Sequence, residues 1–220
     1  MSMGLQWKAP AFCLREALRY AGVRGEDDEM AARMLDCFSE AEGVLDYRVC
    51  CREFPLKWEG DMCDLGFARV RSQSLARHLQ GCDCLLVLGA TVGIGLDRLI
   101  LKYSRLAPSR ALMLQALGAE RIEALCDAFC EKTGAETAAR GLHLTGRFSP
   151  GYGDVPLGLQ RDIFRALQPE RAIGLTLNDS LIMSPSKSVT ALMGLSREKR
   201  DPPAQPCSRC GQRGCPYRKE

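Results

Sequence analysis

The stretch Cys84-Leu85-Leu86-Val87-Leu88-Gly89-Ala90 carries no charged side chain and no polar alternation. A strand with one wet face alternates apolar and polar residues; an unbroken apolar run belongs in the middle of a sheet, covered by packed elements. Even extended to CLLVLGATVGIGL it falls short of the roughly 18 apolar residues that cross a bilayer, and it is glycine-rich. It therefore reads as a central strand, and the rest of the chain must supply its cover. With 220 residues, 46% of them hydrophobic and 26% charged, the chain can build that cover as one generous domain with a small appendix.

Patterns upstream and downstream supply helices and further strands. FCLREALRYAG places Leu14 and Leu18 on one face and ends at Gly22, a short helix. EDDEMAARMLDCFSEAEG opens with acids, which favour a helix N-terminus, and its expected apolar face is Met30, Met34, Leu35 and Phe38. LDYRVCCREF alternates Leu45, Tyr47, Val49 and Cys51 and reads as a half-buried strand. SLARHLQGC is a short helix with Leu75 and Leu79 inward. A long helical region follows the apolar run, broken at Pro108; its second part, about 109–132, buries Met113, Leu117, Ile122, Leu125 and Phe129. GLHLTG is a short strand. PLGLQRDIFRAL is a helix with Pro156 near its first turn and Ile163, Phe164 and Leu167 inward. RAIGLTLND and KSVTALMGLS are strands, the second with Val189, Ala191, Met193 and Leu195 on one side. Helices and strands are interspersed without strict alternation. The expected fold class is α+β, a mixed, largely antiparallel twisted sheet with packed helices. The domain spans 1–196, a charged, proline-rich linker spans 197–206, and a cysteine-bearing basic tail spans 207–220.

Several functional classes are excluded or thinned. A net charge of +3, two Trp, two His and no basic stripe with interleaved aromatics do not make a nucleic-acid surface. MSMGLQWKAP lacks the apolar core of a secretory signal, so a cytoplasmic location is expected and the 12 cysteines should mostly be free thiols. GATVGIGLD sits where a nucleotide loop would, but position 98 is Arg and no G-K-[ST] follows. A tight strand-to-helix turn with small residues for close packing explains it better. His78 and His143 have no neighbouring nucleophile pattern. Cys126 and Cys130 share a helix face that reads as core. Nothing supports a catalytic triad.

Two segments remain. Cys207-x2-Cys210-x4-Cys215 has metal-site spacing for zinc or an iron–sulfur cluster, lacking a fourth ligand; the plainer reading is a basic tail with incidental cysteines. RFSPGYGDVP, residues 147–156, is a strand-to-helix connection by its Pro-Gly chemistry. It also sets Arg147 four residues before Gly151-Tyr152. Glycine backbone can approach a polar ligand closely, an arginine can hold a carboxylate by two parallel bonds, and a tyrosine adds a flat face.

The order R-x-x-x-G-Y, a helix, then IGLTLNDSLIMSPSKSVTALMGLS resembles the activation (reactivation) domain of cobalamin-dependent methionine synthase over about residues 140–196. The family's I-G-x-x-L-T-E-S, then a Met, a Pro and S-V, reads here Ile173-Gly174-Leu175-Thr176-Leu177-Asn178-Asp179-Ser180, then Met183, Pro185 and Ser188-Val189. The family's T-E-S reads Leu177-Asn178-Asp179-Ser180 here, an acid one methylene shorter with the Thr lost, and an acidic contact near the family's domain start has no matching position. The chain resembles free-standing short forms of that domain. The resemblance implies S-adenosylmethionine as ligand, with Arg147 on its carboxylate, backbone contacts from Ser149 and Gly151, and Tyr152 beside it. It implies Asp179 as an acidic contact and Glu123, by element order, for the amino group or sulfonium. It further implies a cobalamin-binding methionine synthase or corrinoid protein as partner, with a flavodoxin- or ferredoxin-like electron donor. The implied role is reductive methylation of the partner's cob(II)alamin to methylcobalamin. That chemistry needs positioning more than an acid–base pair, since the reduced cobalt is the nucleophile and the sulfonium carries its own leaving group. A non-catalytic S-adenosylmethionine- or corrinoid-binding adaptor, and a metal-bearing interaction protein, are the competing readings.

Overall fold

The structure is a computed structural model and describes residues 4–60 and 62–198. Its elements run β1 (Gly4–Gln6), α1 (Leu14–Tyr20), α2 (Asp28–Glu42), β2 (Arg48–Pro55), β3 (Lys57–Glu59), β4 (Met62–Asp64), β5 (Arg69–Arg71), α3 (Gln73–Leu79) and β6 (Cys84–Thr91). The chain continues through α4 (Ile94–Leu106), α5 (Pro108–Ala139), β7 (His143–Leu144), α6 (Leu159–Leu167), α7 (Pro169–Ile173), β8 (Thr176–Leu177), β9 (Met183–Ser184) and β10 (Ser188–Ser196). Five strands form the main sheet in the order β1-β2-β6-β10-β7, and β3-β4-β5 form a smaller one. Every pairing in the main sheet is antiparallel, with Leu88 of β6 flanked by Cys51 and Ala191. The apolar run is thus the central strand, as its composition requires.

Both faces of this sheet are covered. On one, Val49, Leu86, Leu88, Ala90 and Met193 meet Ala17, Met34, Leu96, Leu117 and Leu125 from α1, α2, α4 and α5. On the other, Cys50, Leu85, Val87 and Leu192 meet Leu75 and Leu79 of α3, Ile163 and Leu167 of α6, and Val70 of the small sheet. This corrects the half-buried reading of β2, where adjacent Val49 and Cys50 are both fully buried. The same holds for β10, where Leu192 and Met193 face opposite cores. A short alternation in the sequence does not report a second layer supplied by distant helices.

Local expectations fail where helix phase or turn chemistry shifts a boundary. The buried stripe of α2 is Met34, Cys37 and Ala41, with Met30 beside it, whereas Leu35 stands 48% exposed. Asp27 caps this helix by accepting from Met30 N–H. α6 begins at Leu159, three residues beyond Pro156, whose carbonyl accepts the Leu159 N–H. Residues 171–173, expected in a strand, belong to α7, which Pro169 opens at its first turn and Gly174 closes at φ 72°. The strand that follows is only Thr176–Leu177, paired with Met183–Ser184.

The glycine turn after β6 is a packing device, as expected. A Cβ on Gly95 would lie 2.3 Å from the Val44 carbonyl oxygen, so only glycine lets α4 start against that backbone. The expected core of α5 is buried throughout, but the helix runs on to Ala139. Among the described residues no helix is long and apolar enough to cross a membrane. Apart from Arg197 and Glu198, the linker and the tail with Cys207, Cys210 and Cys215 lie outside the described residues.

Candidate functional site

Residues 147–156 lie along the β7 edge of the main sheet. Phe148 continues the edge beyond β7 by exchanging both backbone bonds with Leu192, 2.9 and 2.8 Å. Side chains alternate along an extended edge, so Phe148 packs with the α3 and α6 core while Arg147 points to the α5 side. There Arg147 Nη2 donates to Glu123 Oε2 at 2.9 Å and to Asp127 Oδ1 at 2.7 Å. Both bonds run through one nitrogen, so the Nε and Nη1 hydrogens are not spent on these carboxylates. The Arg147 side chain is 21% exposed. Burial opposes its charge, but Cys126, Glu123 and Asp127 together hold the guanidinium above its ordinary value.

Glu123, Cys126, Asp127 and Cys130 share this face of α5 because residues three and four apart stand one above another on a helix. Burial pushes the Cys126 thiol up to about 12, and it raises Cys130 as well. Cys130 Sγ rests 3.7 Å from Met193 Sδ of β10. Tyr20, at the end of α1, is raised first by burial and then by the charge of Glu123.

The rest of the segment is a self-bonded turn. Ser149 Oγ donates to the Thr190 carbonyl at 2.8 Å. Tyr152 N–H donates to the Ser149 carbonyl, and Gly151 N–H to that of Val155. Tyr152 is 66% exposed, its ring edge-on to Phe148 at 6.4 Å. α3 holds the turn at both ends. At one end the Asp154 carboxylate accepts from Ser72 Oγ at 2.5 Å, Gln73 N–H at 2.7 Å and Ser74 N–H at 3.0 Å. These bonds, Ser72's foremost, keep its carboxyl well below the usual carboxylate range. Gly153, at φ 57°, lies where a Cβ would meet Ser74 Oγ at 2.5 Å, so the turn can sit this close to α3. At the other end His78 Nε2 lies 2.8 Å from the Gly146 carbonyl, and its ring packs tilted by 42° against Phe148, centroids 5.0 Å apart. Burial depresses the His78 pKa.

Among the residues singled out in the sequence, Arg147 and Glu123 are in contact, with Ser149, Gly151 and Tyr152 on the same connection. Asp179 is placed elsewhere, exposed between β8 and β9, where its carbonyl accepts from Arg161 of α6. Asp127 was missed, although its place one turn after Glu123 puts it on the same helix face and was legible in the sequence. Asp154 and His78 were missed as anchors because their partners lie 82 and 68 residues away. Among the described residues no cluster of three or more His, Cys, Asp or Glu could hold a metal ion. A cleft of about 350 Å³ lined by Trp58, Ala76, Arg77, Gln80 and Gly81 lies against α3, and another of about 270 Å³ lies between α2 and α5 near Arg110. Neither includes Arg147.

No protein-family model matches the sequence, and no curated protein matches it. The fold is similar to that in the crystal structure of the MetH reactivation domain bound to AdoHcy. The TM-score is 0.65 and the sequence identity 16%, over 91% of this chain and 80% of that one. The fold is therefore that of the methionine synthase reactivation domain.

Proposed function

We propose that this protein binds S-adenosylmethionine at the Arg147 edge and serves as an activation subunit for a separate cobalamin-carrying methionine synthase or corrinoid protein. The observation that carries this reading is the meeting of Arg147 with Glu123 and Asp127 beside an exposed tyrosine. It occurs on a fold like that of a reactivation domain whose structure holds AdoHcy. The Arg147 hydrogens not donated to Glu123 and Asp127 suit one oxygen of the ligand's carboxylate in a charge-assisted bond. Glu123 suits the α-ammonium. Ser149 N–H and the Gly151 carbonyl, outside the turn's own bonds, offer backbone contacts, and Tyr152 offers a flat wall. Asp179 serves only if the β8–β9 turn approaches the bound ligand.

In this role the chain positions a sulfonium methyl group over reduced cobalt on the partner. The methyl group passes to the metal with the cobalt electron pair forming the new bond, and S-adenosylhomocysteine leaves. One electron from a flavodoxin- or ferredoxin-like donor is required first. No side chain of this protein needs to exchange a proton, which fits a site with one permanently charged arginine, two carboxylates and two neutral thiols.

Calorimetry with S-adenosylmethionine tests the site. Arg147→Ala removes the charge-assisted partner of the ligand carboxylate and should weaken binding by about 2–5 kcal/mol. An unchanged affinity would refute the assignment. Mixing the protein with a cob(II)alamin-loaded partner, a reductant and S-adenosylmethionine tests the reaction. Binding without methylcobalamin formation would leave a ligand-binding adaptor in place of an activation enzyme.

A further inference from the structure

We infer that Asp127 makes the Arg147 site selective for a ligand carrying one positive charge beyond an amino-acid zwitterion, so that a sulfonium is held in preference to the thioether left after methyl loss. The inference rests on the proposed S-adenosylmethionine site and follows from its charge balance. The titratable groups acting on Arg147 are Glu123, Asp127, Cys126 and Cys130. Both thiols are raised by burial and stay neutral near pH 7. One guanidinium and two carboxylates then leave a net charge of −1.

An α-amino-acid head is itself neutral overall, one carboxylate and one ammonium. Its carboxylate can accept from an Arg147 hydrogen outside the Nη2 bonds, and its ammonium can take one acid. One acid stays uncompensated. Glu123 is the more enclosed, its side chain 39% exposed against 66% for Asp127. The outer acid, Asp127, therefore faces whatever extends outward from the amino-acid head. In S-adenosylmethionine that part is the sulfonium, two methylenes from the α-carbon. S-adenosylhomocysteine has the same shape there but no charge, and it leaves Asp127 unmatched. Selection of the charged ligand suits a subunit that must release its product after each transfer.

Solvent screening at this exposure keeps the effect modest. The expected preference for S-adenosylmethionine over S-adenosylhomocysteine is roughly threefold to tenfold at low ionic strength. The experiment is calorimetry with three ligands: the sulfonium, the thioether, and the analogue in which a protonated amine on carbon replaces the sulfonium. The two charged compounds, sulfonium and amine, should both outbind the thioether, and added salt should compress the gap. In Asp127→Asn the gap between charged and uncharged ligands should close towards one. Equal affinities for all three ligands in the unaltered protein would overturn the inference while leaving the site reading intact. So would a preference that persists in Asp127→Asn. Failure of all three ligands to bind would instead sink the site reading itself, and the inference with it. The salt dependence in the unaltered protein decides the matter even if the variant misfolds.

Discussion

Replacing Arg121 with Met should destabilise the fold severely. Arg121 is fully buried and its neighbour Glu120 is 3% exposed, two consecutive α5 residues turned towards the N-terminal segment. Arg121 Nε and Nη2 donate to Glu120, while Nη1 and Nη2 donate to the carbonyls of Pro10 and Ala11 at 2.8 and 2.7 Å. Glu120 also accepts the Cys13 N–H, and the guanidinium lies 5.1 Å from the Phe12 ring centroid, itself stacked on Phe38. Methionine fills similar volume, so the loss is mainly electrostatic. It strands the buried Glu120 carboxylate and takes the donor from the Pro10 and Ala11 carbonyls. Breaking a buried pair on one side costs about 3–5 kcal/mol. For a chain of this size that lowers the melting temperature by roughly 10 °C. Thermal denaturation of Arg121→Met beside the unaltered protein reads this loss. The Glu120→Gln/Arg121→Met double variant should be less destabilised than Arg121→Met at pH 8. A loss below about 1 kcal/mol, or a double variant no more stable than Arg121→Met, would refute this account of the N-terminal clasp.

Asp154→Ala should free the 149–156 turn from α3 and weaken S-adenosylmethionine binding, while far-UV circular dichroism stays unchanged; intact affinity would show that the turn holds its shape without α3. Because the Asp154 carboxyl is held well below its ordinary value, this anchor should persist through mildly acid pH, and the ligand affinity of the unaltered protein should not fall between pH 7 and 5 on its account. His78 acts with the same sign in a higher pH window: its depressed pKa means the folded state binds fewer protons, so its contribution is present above the ordinary value of 6.5 and declines as pH falls through the lower folded value. His78→Gln should flatten that acid limb of the stability curve; an unaltered limb would assign it to other groups.

Much of the architecture was legible because it rests on local patterns. The unbroken apolar run at residues 84–90 could only be a covered central strand, and the turn chemistry of Pro150-Gly151 and the helix break at Pro108 were readable in place. The alternation of residues 45–51 misled, since a strand's second face is set by whichever helices cross it. Leu35 and residues 171–173 failed because helix phase and a helix start at Pro169 shift boundaries by a few positions. At the site, the pattern Arg147-x3-Gly151-Tyr152 marked the loop, and the spacing of Glu123 and Asp127 along one helix was present in the sequence. Their meeting with Arg147, 24 and 20 residues onward, was not. It depends on α5 lying along the β7 edge, a packing result. Likewise Asp154 reaches α3 across 82 residues and Glu120 reaches Cys13 across 107. Sequence by itself determined the central strand, the helices and the loop chemistry, because periodicity and backbone preference act over a few residues. Tertiary structure alone decided which charges share the site and what balance they strike, because Coulomb and hydrogen-bond interactions depend on distance in space and not on separation along the chain.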